Sequence, residues 1–589
     1  MAKKKMERRK LKSKEAQKRR RLDTLRARLW QEFGNHRSRH RELLDFFHPT
    51  RGRFTVTDAN KGTRKNQRII NPHSYGALAT LKSGMMQGIT NPSTEWLRVT
   101  LSDQKEAEIG ENKDWLNDVT KGMAAVFTKS NLYKTLPTVY GDMAIVAMGA
   151  MLMEEDFDDV VRFTSLPVGT YQVSNNTKGV VDTISREFRM TVRQLIEKFG
   201  ISEGEPLVED NIDWSKFSSK VKGFWMNDED ETWVDVVHII CPNQEYDPNK
   251  LDSKYKRYSS TYYERGTSGG SGGNIGQTLD LEKFLSEGGY DIFPVLCPRW
   301  ETTGEDAYGT DCPAMKAEGQ QRALQAAERR LAQADELGIN PPLNVPVSLK
   351  KKNTALLPGM RFYTDGDSED RTVKSVWDVN YDKTSIENRI LRHQDSIDDL
   401  FFKKAFRAIS DLEGTFTAFE IQSRLQEGRM MIGGALINIQ DDLLELLVDY
   451  TFAKMMDRGM IPPAPETIQG QKLKVEFIGV LAQAQKSLAL GGLQTFMNDV
   501  GTLAEITQDP TVWDKVNTEQ LVDELAESGG VTPSIVVSDE EVAMVKEQRM
   551  MEQQALQEQE QMMAMAGSAK DLAAADMSGD NALTALTGA

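Results

Sequence analysis

Hydrophobic positions recur with helical spacing early in the chain. Leu22, Leu25, Leu29, Phe33, His40, Leu44 and Phe47 fall near one face, and Pro49 and Gly52 close the run. A second helix is predicted over 72–90, with Asn71 as N-cap and Pro72 at the first helical position, where its missing N–H costs nothing. It ends inside "LKSGMMQGITNPSTEWLRVTL" (Leu81–Leu101). Pro92 disfavours helix at Asn91. Leu97, Val99 and Leu101 then alternate with Trp96, Arg98 and Thr100, as in a strand with one buried face. Gly76, Thr80, Gly84 and Gly88 are spaced by four and form one small-residue stripe. Each helical glycine costs about 1 kcal/mol against alanine. The stripe therefore predicts another backbone packed tightly against it, and Gly76, Gly84, Gly88, Pro92 and Trp96 are a candidate packing joint.

Residues 111–153 read as mostly helical. A β-rich part follows in "DVVRFTSLP", "TYQVSNN", "VVDTISREFRM", "VDVVHIICP", "YSSTYYER" and "FPVLCPRW", interrupted by a short helix over Thr191–Phe199. A long helix is predicted over Pro313–Leu337, about 38 Å at 1.5 Å per residue. Its apolar stripe is thin and mostly alanine, which suits close packing or an assembly larger than one chain. After "GINPPLNVP" comes a small module, 338–380, and then a second long helix over Asp382–Ile409. Ile386, Ile390, Ile397, Phe401 and Ala408 mark its face, with His393 as a packed histidine. "SDLEGTFTAFE" breaks the pattern at Gly414, and a third long helix is predicted over Phe416–Arg458. A strand over Lys472–Val480 and a Met/Gln-rich helix over Asp539–Ala566 complete the pattern, with a disordered end. The class is α+β, mostly helical. Two long helices bracketing a compact insert predict a hairpin-like stalk with a knob.

The chain has 589 residues, too many for one core. Charged residues make up 27% and hydrophobic residues 39%, which suits a globular protein. A net charge of −15 excludes a simple nucleic-acid sponge; any DNA contact is local, or belongs to a protein that lets DNA slide. Residues 1–21 run against this balance as a Lys/Arg block, read as a solvated, partly disordered extension or as an arm for nucleic acid or an acidic partner. Cys241, Cys297 and Cys312 form no CxxC pair, so no disulfide framework or structural zinc is expected, in keeping with a reducing compartment. No signal peptide is visible, and no apolar run approaches the length of a membrane span; the longest, Ala144–Met153, closes at Glu154-Glu155-Asp156.

Catalytic motifs are absent. There is no G-x-x-x-x-G-K-[ST], H-E-x-x-H, G-x-S-x-G or C-x-x-C. "RGTSGGSGGNIG" (Arg265–Gly276) fits no dinucleotide fingerprint and reads as a flexible loop. His36 and His40 stand four apart, the spacing of a helical metal pair, but no third ligand accompanies them, and an ordinary helix face is the reading. "EEDFDD" (Glu154–Asp159) lacks Ca²⁺-loop spacing and reads as a solvated turn. No metal or cofactor is expected.

Several stretches resemble, in order, the head-to-tail connector (portal) proteins of short-tailed, T7-like bacteriophages (podoviruses). These are "LKSGMMQGITNPSTEWLRVTL", "FTSLPVGTYQVSNNTKGVVDTISREFRMTVRQLIEKFG", "FPVLCPRWETTGEDAYGTDCPA" with its Pro…Arg-Trp…Tyr-Gly signature, "INPPLNVP", "GTFTAFEIQSRLQE" and "VEFIGVLAQAQK". Together they cover about residues 20–500. The resemblance implies a non-enzymatic ring, usually of twelve subunits, at one capsid vertex of the virion, assembled in the host cytoplasm. Double-stranded DNA passes through it. Its partners are the major capsid and scaffolding proteins, the terminase and later the tail adaptor or nozzle proteins, with no membrane involved. By analogy the basic extension is 1–21, the wing 22–310, the stem 311–337 and 382–409, the clip 338–381 and the tunnel loop 410–417. Residues 418–500 return to the wing, 501–566 form the crown, and 567–589 are a disordered tail. Asp411, Glu413 and Phe416 would line the DNA channel, and Lys350, Lys351 and Lys352 would meet a partner at the clip, or DNA. The competing reading is a nucleic-acid-processing or metal-dependent enzyme that uses the basic arm and the acidic cluster.

Overall fold

The computed structural model describes residues 2–54, 69–101, 107, 110–202, 206–265, 283–304, 306–339, 343–344, 374–375, 382–404, 406, 433–471, 473–478, 497–503, 516, 521–522 and 539–574. The chain divides into two units. The first holds Met1–Trp96, Met123–Met460 and Gly479–Leu481, and the second Leu97–Gly122, Ile461–Ile478 and Ala482–Ala589.

In the first unit, α1 (Ala2–Phe47) is one helix that begins well before the predicted start at Leu22. The predicted face is the buried one: Leu22, Leu29, Phe33, His40, Leu44 and Phe47 are all buried. The solvated-arm reading fails where the basic block meets the sheet. Lys18 Nζ lies 2.6 Å from Glu287 Oε1. The buried guanidinium of Arg19 stacks 3.6 Å from the Tyr263 ring and donates to the Glu264 carbonyl at 2.6 Å. Arg26 pairs with Glu187 at 2.7 Å. α2 (His73–Ile89) starts one residue later than expected, so Pro72 and not Asn71 is its N-cap; Asn71 Oδ1 accepts from the His73 N–H at 2.9 Å in the turn just ahead of it.

The core runs through α4 (Leu132–Val146), which follows α3 (Gly110–Lys129). Every residue from 139 to 153 is buried. The sequence reading kept helix through 153, whereas β2 (Met151–Asp156) begins there. A run buried on all sides carries no periodicity to separate helix from strand. β2 pairs antiparallel with β3 (Val160–Ser165) and β9 (Val295–Leu296). The Glu154–Asp159 cluster spans the end of β2 and a tight turn, where Asp156 Oδ1 accepts from the Asp158 and Asp159 N–H groups.

A five-stranded antiparallel sheet has the order β4-β5-β6-β7-β8: β4 (Tyr171–Asn175), β5 (Val181–Thr191), β6 (Trp233–Pro242), β7 (Tyr258–Glu264) and β8 (Ser286–Tyr290). Gly179, at φ +78°, and the Asn176 side chain make the β4–β5 turn. α5 (Val192–Phe199) carries a complete capping box from Thr191 and Gln194. α6 (Ser219–Met226) and β8 escaped the sequence reading: "SEGGY" has almost no strand propensity, and β8 is held by its backbone ladder to β7 and by the pairing of Glu287 with Lys18 and Lys254.

α7 (Pro313–Ile339) and α8 (Lys383–Leu400) run antiparallel: Gln320 lies 2.6 Å from His393, and Asp335 3.4 Å from Lys383. Between them, β10 (Leu343–Asn344) pairs with β11 (Lys374–Ser375). α8 ends nine residues before the predicted Ile409, for a reason given below. The long helix α9 covers 433–457, with a π turn over Gln440–Glu445 and a regular stretch over Leu446–Asp457; its predicted residues 416–432 lie outside the described ones. In the second unit, β1 (Leu97–Leu101) pairs antiparallel with β12 (Leu473–Phe477), and Leu97, Val99 and Leu101 are the buried residues of β1. α10 (Asp539–Ala574) runs eight residues past its predicted end, into the stretch expected to be disordered.

One charge sits inside the fully buried run. Asp142, 1% exposed, meets Arg51 through three contacts of 2.6–3.0 Å, and Arg51 Nη2 also reaches Ser165 Oγ and the Leu166 carbonyl. Asp142→Asn should cost about 3 kcal/mol, because it strands a buried guanidinium. Denaturant unfolding checks this; a loss within error of zero refutes it. His40 is 3% exposed, and neither ring nitrogen has a partner among the described residues. Burial, then His36 and Arg39, push its pKa down to about 3. The unfolded imidazole takes up its proton near pH 6.5, so this stability is present above that pH and is lost as pH falls towards 3. His40→Phe should remove about 2 kcal/mol of the wild-type loss between pH 7.5 and 5. Parallel stability–pH curves for the two proteins would refute this.

Candidate functional site

The predicted channel residues Asp411, Glu413 and Phe416 lie outside the described residues, as do Lys350, Lys351 and Lys352 and the glycine-rich loop at 266–276. The predicted joint is described, and its parts behave differently. Gly76 is exposed, and a Cβ built there meets no heavy atom within 4 Å. Gly84 is buried, and a Cβ there would overlap the Phe406 ring at Cγ, Cδ1 and Cε1. Gly88 is buried as well, while Pro92 is exposed on the turn. Trp96 is buried, stacks on Phe127 at 5.7 Å and donates its indole N–H to Tyr133 at 3.0 Å. At Gly84 the neighbour is an aromatic side chain rather than the expected backbone.

Phe406 belongs to an elbow that the sequence reading missed. α8 stops because Phe402 adopts φ +54°, a left-handed conformation that bulky L residues rarely take. The turn divides three aromatics among three neighbours. Phe401, fully buried, packs on Phe47 of α1 at 5.5 Å. Phe402 stacks on Trp300 at 6.1 Å, and Phe406 enters the notch at Gly84. At the end of α8, Asp398 lies 2.7 Å from both His73 Nε2 and Lys403 Nζ. An unbroken Phe/Ile period gave no sign of the elbow; the doubled Phe401-Phe402 was the one available signal.

The Arg-Trp…Tyr-Gly signature converges on the same region. Arg299 grips Asp442, inside the π turn, with Nε and Nη2 at 2.9 and 3.0 Å. Asn438 donates to the Trp300 carbonyl at 3.2 Å. The backbone of this segment is tied to the core, with Trp300 N–H to the Ala147 carbonyl at 2.9 Å and Gly149 N–H to the Pro298 carbonyl at 3.0 Å. Tyr308 accepts the Val173 N–H at 3.1 Å, and Gly309 lies where a Cβ would overlap the Ala147 carbonyl. His36 and His40 pack around the Tyr308 ring.

Among the described residues no group of three or more His, Cys, Asp or Glu is placed to hold a metal ion. None of the three cysteines is bonded, and burial pushes the Cys312 thiol up to about 12. No described helix is long and apolar enough to cross a membrane. Residues 19–536 match the family described as bacteriophage head to tail connecting protein. Two curated relatives are similar over nearly the whole chain. The portal protein of Salmonella phage epsilon15 is 37% identical over 93% of this chain and 94% of its own length. The "Probable portal protein" of Bordetella phage BPP-1 is 33% identical over the same shares. The chain therefore belongs to the head-to-tail connecting protein family of bacteriophages.

The two glycines give opposite expectations. Gly84→Ala should destabilise by about 1–3 kcal/mol, because the Phe406 ring must move. Gly76→Ala should stabilise by about 0.5–1 kcal/mol as a helix substitution in open space. Melting of the two variants measures both; equal shifts would refute the notch.

Proposed function

We propose that the chain forms a ring, usually of twelve subunits in proteins it resembles, at a unique capsid vertex, and that double-stranded DNA enters and leaves the virion through the ring. It works as a portal and not as an enzyme. Membership of the connector family supports this, and the stem pair is the structural observation that carries it. α7 buries residues only as far as Ala327, and Leu337 and Ile339 near its end are 39% and 85% exposed. α8 buries only Ile390 and Ile397 and leaves Leu391 55% exposed. Two long helices whose apolar residues stay half uncovered suit cyclic packing, in which each subunit offers different surfaces to its two neighbours.

In this reading 22–310 and 418–500 form the wing, 311–337 and 382–409 the stem, 338–381 the clip, 410–417 the tunnel loop and 501–566 the crown. Gly84, Gly88 and Trp96 form a packing joint in the wing, with Gly76 and Pro92 of the expected set exposed beside it. Lys350–Lys352 meet the terminase, a tail adaptor or DNA at the clip. The capsid and scaffolding proteins surround the wing during assembly in the host cytoplasm. A conduit must touch DNA without gripping it. Each neutralised phosphate adds salt-dependent affinity, so an acidic chain with Asp411 and Glu413 at the narrowest part lets DNA slide, with Phe416 as a steric contact.

Electron-microscopy class averages should show a ring with a central hole; monomers or dimers without one would refute the portal. Asp411→Lys combined with Glu413→Lys should impair packaging or DNA retention while rings still assemble. Normal packaging would refute the role given to these two carboxylates.

A further inference from the structure

We propose that Arg299 and Trp300 are positioning residues for the DNA-facing loop, fixing the spacing and rotation of the two helical legs that carry it. This rests on the assignment of residues 410–417 to the channel. Residues 407–432 connect the elbow after α8 to the start of α9. Among the described residues each leg contains one irregularity. On the first, Phe402 is held at φ +54°. On the second, Gln440–Glu445 form a π turn within an otherwise regular helix. Such conformations cost free energy, persist where surrounding contacts hold them, and gather at functional sites.

Here both irregularities are held by two consecutive residues. Trp300 stacks on Phe402, with the rings 16° from parallel. Arg299 holds Asp442 with two nearly equal bonds, and the Trp300 carbonyl takes the Asn438 amide one turn earlier on the same helix. A bidentate guanidinium–carboxylate pair sets orientation as well as distance. The dipeptide's own backbone is anchored to Ala147–Gly149, in the most buried part of the unit. The legs are thus referred to one rigid point. The Phe406 ring in the Gly84 notch and the Asp398 contacts with His73 and Lys403 hold the first leg from its other side.

The test uses assembled rings of the full chain carrying a spin label at Ser410→Cys, with Cys241→Ser to remove the partly accessible thiol. Pulsed dipolar spectroscopy reads the distances between subunits. Otherwise unaltered rings should give a narrow distribution at the short spacings of residues near the ring axis. Phe402→Gly accepts the left-handed backbone without strain and deletes only the stacked ring. Arg299→Lys keeps the charge and loses the fork. Each should broaden the distribution about twofold with rings intact, because the legs lose their common reference. Phe402→Tyr should restore the narrow distribution. Unchanged widths in both variants, or broadening only in step with ring loss and a lowered melting point, would overturn the proposal. Labels far from the axis in unaltered rings would overturn it through its premise, the channel assignment. Normal packaging by the Asp411→Lys, Glu413→Lys chain, with short label distances that still broaden, would instead locate the fault in the charge argument and support the clamp.

Discussion

A carboxylate inside a run of fifteen consecutive buried residues must be neutralised or paired, and Asp142 is paired with Arg51. The pair joins three elements: Arg51 follows the end of α1, Asp142 lies in α4, and the remaining guanidinium donors go to Ser165 and Leu166 at the end of β3. Desolvating two charges makes such a pair a poor source of net stability. Its value is geometric, because α4 has one axial position and one rotation that satisfy both partners. Later features inherit that placement. Ala147 and Gly149, just beyond α4, hold the backbone of Pro298–Trp300, and Cys312 Sγ reaches the Ile145 carbonyl where α7 begins.

The first unit is thus dense at one end and sparse at the other. Around α4 the side chains are covered, and Asp142, Tyr140 and Cys312 have named polar partners, while Gln172 and Ser185 in the sheet are buried with none among the described residues. Along the distal half of α7 and most of α8, exposed residues dominate. In the proposed ring the dense part keeps its shape by itself, while the sparse part depends on neighbours.

Much of the framework was legible because periodicity is a local signal. The α1 face, the α7 and α8 helices, the alternation of β1 and the Thr191 start of α5 follow from spacing and caps. Three kinds of feature were not. Elements buried on all sides carry no period, which hid the switch from α4 to β2. An element of low strand propensity held by its backbone ladder and by distant ion pairs carries no local signal, which hid β8. The elbow at Phe402 depends on Trp300, Phe47 and Gly84, each far away in sequence, so local propensity continued α8 through it. The glycine stripe was read as one motif, yet only tertiary contact distinguishes the notch at Gly84 from open space at Gly76. Arg299 and Trp300 were noticed as a pattern, but their roles needed the positions of Asp442 and Phe402.

The π turn has a consequence for how this helix can vary in length. A π turn accommodates one residue more than an α-helical turn of the same rise. In a regular α-helix one added residue would turn everything upstream by about 100°. The π turn over Gln440–Glu445 absorbs that residue locally, so removing one residue there would let the backbone close to a continuous α-helix while Asn438 keeps the phase that faces the Trp300 carbonyl. The change would fall instead on Asp442 within the turn and on its grip by Arg299, so chain length at this point can differ by one without turning the leg.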